Sequence, residues 1–166
     1  MIRLIPIAIL SLFFLSCKTY SFSGANINPD IQTLSVAYIY NKSGNGPASA
    51  SDIFTNLLKD KMNTNTNLNQ VNANGDVHFS GEISNYAYSI QAPSGNTTSD
   101  LRRITMSVTI NFYNRIDEAD SFESKKFTRF ADYPVNEDIT AIEESIINEI
   151  STQLVDDVFN AAFVKW

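Results

Sequence analysis

Cysteine is almost missing from this chain of 166 residues; the single one, Cys17, excludes a disulfide framework and a thiolate metal site. Histidine is as scarce. His78 has no second imidazole or thiol to work with, so a catalytic triad or a zinc centre has nothing to build on. Its place on the polar parity of a strand predicts a surface residue. Positive charge is short too: 12 Lys and Arg face 18 Asp and Glu, a net charge of −6. A phosphate backbone demands a basic face, so nucleic acid is excluded as a partner. No apolar run approaches the roughly 20 residues that a spanning helix needs.

The longest apolar run is Leu4–Leu15, preceded by Arg3 and followed by Ser16 and Cys17. A basic start, about a dozen apolar residues and a small residue before the cysteine describe a signal segment, residues 1–16, that ends on a lipidation site. Phe14 stands where the pattern usually places Leu, three positions before the cysteine, with Leu15 next to it. Acylation accounts for an otherwise unpaired exported thiol. More than one acyl chain on Cys17 makes the anchor stable, since each buried methylene contributes about 0.8 kcal/mol. Residues 17–166 then form one domain, long enough to bury a core.

Along that domain, Lys18–Gly24 reads as a short strand and Ile31–Tyr40 as a longer one, with Leu34, Val36, Tyr38 and Tyr40 on one face. Asn41–Pro47 is a loop; its two glycines lack the Lys-Ser/Thr pair of a phosphate cradle. Ser49 or Ser51 caps a helix that buries Ile53, Phe54, Leu57, Leu58 and Met62. Leu68–Val71 is a short edge strand and Asn74-Gly75 a turn. Asp76–Ser89 is a strand in which Tyr86 and Tyr88 leave the parity of Val77, Phe79 and Ile83, which predicts a bulge or a change of buried side. Gln91–Asp100 is a polar loop. Leu101–Asn114 alternates without fault, with Ile104, Met106, Val108, Ile110 and Phe112 inward. Phe122–Ala131 is the last strand. The helix over 139–163 carries an apolar stripe through Ile146, Ile150, Leu154 and Val158, with Thr140 and Glu143 at capping-box spacing.

This order predicts an α+β two-layer sandwich: a mostly antiparallel or mixed sheet of about four main strands, with two helices on one face. The other face is rich in Ser and Thr and is left for water or a partner. The carboxylate pairs Glu143-Glu144 and Asp156-Asp157 read as solvated helix faces, because adjacent helical positions diverge. Arg102, Arg103, Lys125, Lys126 and Arg129 fall on two strands expected to be neighbours, in a chain otherwise acidic. They read either as edge protection or as a site for an anionic lipid head group.

The lipidated cysteine, the Tyr20-Ser21-Phe22-Ser23-Gly24 segment after it, and the stretches VNANGDVHFSGEI and QLVDDVFNAAFVKW together resemble the LptE family, in its Bacteroidetes form. The resemblance covers nearly the whole mature chain. It implies a non-catalytic lipoprotein of the Gram-negative outer membrane that plugs and helps assemble the LptD β-barrel, binds lipopolysaccharide and assists its delivery. No cofactor is implied. Lys125-Lys126-Phe127 through Asp132-Tyr133-Pro134 matches a family segment whose basic residue contacts lipopolysaccharide, which marks Lys125. The family's second basic contact, in the hairpin loop, has no counterpart in Gln91–Asp100; Arg102 or Arg103 can stand in from the strand start. Lys18 and Thr19 are not acidic, which places the anchor on the periplasmic side. The alternative is a generic periplasmic lipoprotein that binds a peptide or glycan.

Overall fold

The computed structural model describes residues 27–91 and 101–164. Cys17, the 18–24 strand and most of the 91–100 loop lie outside them. The elements are β1 (Thr33–Val36), β2 (Tyr40–Asn41), α1 (Ser49–Asn65), β3 (Asn69–Gln70), β4 (Val77–Gln91), β5 (Leu101–Asn114), a short 3-10 turn (Glu118–Asp120), β6 (Phe122–Pro134) and α2 (Ile139–Phe163).

One mixed sheet runs β3-β1-β4-β5-β6, with β2 also paired to β4. The short strands β1, β2 and β3 pair in parallel. The long ones, β4, β5 and β6, form an antiparallel meander. Parallel pairing requires a crossover, and α1 supplies it between β2 and β3. Both helices contribute to a single buried cluster with one face of the sheet: Phe54, Leu58 and Met62 from α1, and Ile147, Ile150, Leu154 and Val158 from α2. This is the expected two-layer α+β sandwich, with six strands rather than four because three of them are two to four residues long.

The stretch 31–40 differs from expectation. It is not one strand: β1 ends at Val36 and β2 resumes at Tyr40, with Ile39 buried between them and Tyr38 and Tyr40 exposed. The break stands because α1 satisfies the backbone there. Ile39 N–H donates to Thr55 Oγ1 at 3.1 Å and Asn41 N–H to Ser51 Oγ at 2.8 Å. Those hydroxyls substitute for ladder acceptors. Ser51 is therefore a bridge to the sheet and not a cap, and Ala48, at the cap position, makes no side-chain cap bond.

The bulge expected in β4 is present, with the register shifting between Ile83 and Asn85. It turns Tyr86 inward, to 1 % exposure, and puts Tyr88 on the same helix-bearing face. At the far end of the meander Phe79 and Phe112 pack with centroids 4.8 Å apart, and Phe163 of α2 meets them at 6.0 and 5.6 Å. The last turn of α2 is thereby locked to the hairpin base. The start of α2 is capped by Asp138, which accepts from Thr140 N–H at 3.0 Å. This replaces the Thr140/Glu143 capping box, and Glu143 is used elsewhere.

One buried polar atom stands alone. Ser151 Oγ, on the buried side of α2, has no hydrogen-bond partner among the described residues. An unpaired buried hydroxyl costs about 1–3 kcal/mol. Ser151→Ala is expected to leave the melting temperature unchanged or to raise it, with a gain of up to about 2 kcal/mol. Thermal denaturation checks this; a loss of more than about 1 kcal/mol would show that the hydroxyl has a partner after all.

Candidate functional site

The register of β5 and β6 places each of the five basic residues. Arg102 pairs with Tyr133, Arg103 with Asp132, Met106 with Arg129, Thr109 with Lys126 and Ile110 with Lys125. The strands are neighbours, as expected, but the side chains divide between the two faces. Arg102, Lys125 and Arg129 share the parity of the buried positions Ile104, Met106 and Ile110. Arg103 and Lys126 share that of Thr105, Ser107 and Thr109 on the open face. Lys125 and Arg102 are eight positions apart along the ladder, about 27 Å at strand rise. One head group does not reach both.

Two of the five are committed to carboxylates. Arg129 makes a bidentate pair with Asp157 of α2, with both N–O distances 2.6 Å. Arg103 makes another with Asp132 across the strands, at 2.6 and 2.8 Å, and stacks on Phe130 at 3.6 Å. The Asp132 carboxylate raises the Arg103 pKa, and the Arg103 guanidinium holds Asp132 below the usual carboxylate range. Asp156 pairs instead with Lys61 of α1 at 2.7 Å, so the adjacent carboxylates diverge to two partners.

The other three are differently placed. The Lys125 ammonium lies 5.1 Å from the Phe122 ring centroid and 5.7 Å from that of Phe127, within cation–π range. Lys126 is exposed on the open face. Arg102 lines a groove of about 510 Å³ at the loop end of the hairpin, beside Tyr88, Ser89, Ile90, Tyr133 and Ile139. Ile90 there is 78 % exposed, the most exposed large apolar side chain described. A lone guanidinium over apolar side chains suits an amphiphile, with an anion on the cation and a chain along Ile90 and Ile139.

Tyr88 of the groove and its neighbour Tyr86 are both anchored to α2. Tyr86 O–H donates to Glu143 Oε1 at 2.9 Å, and Tyr88 O–H donates to the same oxygen. Burial, then the Glu143 carboxylate, pushes the Tyr88 phenol up to about 12 and raises Tyr86 as well. Both phenols therefore stay donors at neutral pH. The groove was not foreseen from sequence, although its signal was visible: the parity change at Tyr86 and Tyr88 moves Tyr88 and Ile90 to the helix side.

Among the described residues, one serine lies against the histidine on the polar face. Ser35 Oγ lies 2.7 Å from His78 Nδ1 and accepts from Gly75 N–H at 3.1 Å, but Ser35 is fully buried and cannot meet a substrate. His78 is half-buried and serves to satisfy that hydroxyl. Among the described residues no three His, Cys, Asp or Glu side chains converge as a metal site, and no helix is long and apolar enough to cross a membrane.

Solved structures share this fold at low identity. A minor lipoprotein from Acinetobacter baumannii superposes with a TM-score of 0.51 at 14 % identity, covering 80 % of this chain and 90 % of that one. A hypothetical protein from Chlamydia trachomatis gives 0.51 at 7 %, covering 80 % and 98 %. A putative neuraminyllactose-binding hemagglutinin homolog from Helicobacter pylori gives 0.52 at 10 %, covering 85 % and 88 %. No curated protein matches by sequence. The family model described as LptE, lipopolysaccharide-assembly, matches residues 31–162, from β1 to the last turn of α2. The chain belongs to the LptE family of lipopolysaccharide-assembly proteins.

Proposed function

We propose that this protein is a non-catalytic lipoprotein, acylated at Cys17 and held on the periplasmic side of the outer membrane. It plugs and helps assemble an LptD-type β-barrel and assists delivery of lipopolysaccharide to the outer leaflet. The observation that carries the reading is the family match over residues 31–162, which takes in every described strand, α1, and all of α2 but Phe163. The open sheet face supports it physically. Ser107 and Thr128 lie 2.9 Å apart across β5 and β6, and Thr109 donates to Ser84 at 3.0 Å, so this face is a lattice of small hydroxyls. Such a surface suits a polar barrel lumen.

Lipopolysaccharide contact is assigned in this proposal to Lys125, Lys126, Arg102, Arg103 and Arg129, with different weights. Arg103 and Arg129 would have to give up bidentate partners, whereas Arg102 and Lys125 would not. Charge reversal at either free cation, Arg102→Asp or Lys125→Asp, is expected to weaken lipopolysaccharide binding roughly tenfold, the worth of one charge-assisted hydrogen bond. Titration of the purified variants with labelled lipopolysaccharide, alongside circular dichroism, tests this. Unchanged binding by a folded double variant would reject these residues and favour the peptide- or glycan-binding alternative.

A further inference from the structure

The sequence holds two Asn-Gly pairs, Asn45-Gly46 and Asn74-Gly75. Both asparagines are exposed, yet the fold treats the following glycine nitrogens in opposite ways. We propose that Asn45 is a site of spontaneous deamidation and isomerisation in the folded protein, and that the fold protects Asn74 from the same reaction.

The chemistry needs a free glycine nitrogen. The backbone nitrogen of the glycine attacks the side-chain Cγ of the asparagine; the new C–N bond closes a five-membered succinimide and ammonia leaves with the amide proton. Water then opens the ring at either carbonyl, giving aspartate or isoaspartate. The attacking nitrogen must surrender its proton and swing toward Cγ, so an amide locked in a buried hydrogen bond is a poor nucleophile.

Gly75 is locked in this way. It is buried, and its N–H donates to the fully buried Ser35 Oγ at 3.1 Å. Backbone surrounds it: a Cβ built on it would lie 2.6 Å from Ser35 N, 2.7 Å from Leu34 C and 2.8 Å from Val77 O. Asn74 itself is held at φ +56°. No part of this turn rotates without opening β1 from β4.

Gly46 is exposed, and its amide has no acceptor among the described residues. The Asn45 carboxamide likewise has no partner among the described residues, while its main chain is positioned. Asn45 N–H donates to Ser43 Oγ at 3.2 Å, and Asn45 O accepts from Asn41 Nδ2 at 2.8 Å and Ser43 Oγ at 2.9 Å. The loop thus presents an unbonded carboxamide beside an unpaired nitrogen. The product reaches Tyr86. Gly46 sits on the Tyr86 ring, where an added Cβ would come within 2.7 Å of the ring carbon Cγ. Isoaspartate at position 45 inserts one more carbon in the main chain and lifts Gly46 from Tyr86, which braces Glu143.

The test is incubation of the folded mature chain at mildly alkaline pH, followed by peptide mapping with fragmentation that separates aspartate from isoaspartate. Conversion at Asn45 is expected to outrun that at Asn74 by at least about tenfold. In urea the two rates should converge, because only the fold distinguishes them. Ser35→Ala, confirmed folded by circular dichroism, should accelerate Asn74 alone. Equal rates in the folded state, no conversion at Asn45, or a rate ratio that persists in urea would each overturn the proposal.

Discussion

Gly81→Ala is expected to be among the most damaging single substitutions in this chain. Gly81 lies in the middle of β4 and pairs with Ile110 of β5. A Cβ built there would stand 2.2 Å from Thr109 O and 3.0 Å from Ile110 Cα. Both are main-chain atoms of β5, so no rotamer change relieves the contact. The two strands must part, at the level where Phe79, Ile83, Val108 and Ile110 are buried. Overpacking that displaces backbone costs about 3 kcal/mol. For a domain of this size that lowers the melting temperature by roughly 6–12 °C. Gly44→Ala is the internal control: it has a positive φ of +78° but nothing within 4 Å of the added methyl, so only the backbone penalty of about 1 kcal/mol applies. Thermal denaturation of the two variants should therefore separate clearly. Equal melting temperatures would mean that β4 and β5 are not packed as described.

The second large effect is expected at Asp76. Its Oδ2 accepts from Gln32 N–H at 3.1 Å, Thr33 N–H at 2.9 Å and Thr33 Oγ1 at 2.7 Å, and its Oδ1 accepts from the Arg115 guanidinium. One carboxylate thus ties the entry to β1, the first residue before β4 and the exit of β5. The Thr33 hydroxyl, then Arg115 and the two amides, hold its pKa well below the usual carboxylate range. A depressed pKa stabilises the folded state at every pH above the unfolded value. That contribution begins to fade below about pH 4, the ordinary aspartate range, and is lost as pH falls through the folded value. Asp132 and Asp138 are depressed as well, by Arg103 and by Thr140 respectively, and they fade in the same direction.

Asp76→Ala strands two backbone amides and the Thr33 hydroxyl at once. It is expected to lower the melting temperature by at least about 5 °C at neutral pH. The wild-type and variant curves should then approach each other as pH falls below about 4. Asp76→Asn keeps one acceptor and should fall between them. A difference between wild type and Asp76→Ala that is constant down to strongly acid pH would contradict this role for the carboxylate.

The parts of the fold legible in the sequence are those where a single physical rule acts. β5 alternates cleanly because one face meets the helices and the other meets water, and its bounds, Leu101–Asn114, match the periodicity. The long helix is legible for the same reason, from its apolar stripe to its end at Phe163. The parts that were not legible depend on tertiary partners. Nothing local in the 31–40 stretch announces that Thr55 and Ser51, on a helix not yet formed, accept the amides where the strand breaks. The capping-box spacing at Thr140 and Glu143 is real, but Asp138 reaches the helix start first and two tyrosines from β4 claim the glutamate.

The candidate site shows the same division. Neighbouring strands were readable from the meander, whereas the faces of the five basic residues depended on a register that no residue type declares. Arg103 and Arg129 look like free cations in sequence, and their carboxylate partners lie 29 and 28 residues away. Arg102 looked interchangeable with Arg103. One step of strand parity puts it instead over the apolar groove of Ile90, Tyr133 and Ile139, with no carboxylate in ion-pair contact among the described residues.

If this chain works in assembly with a barrel, the most direct measurement is its native purification from a membrane extract in mild detergent, with the co-purifying proteins identified by mass spectrometry. The account predicts a large β-barrel of the LptD type in near-equal amount with this chain. Recovery of the folded protein without any barrel partner would contradict it.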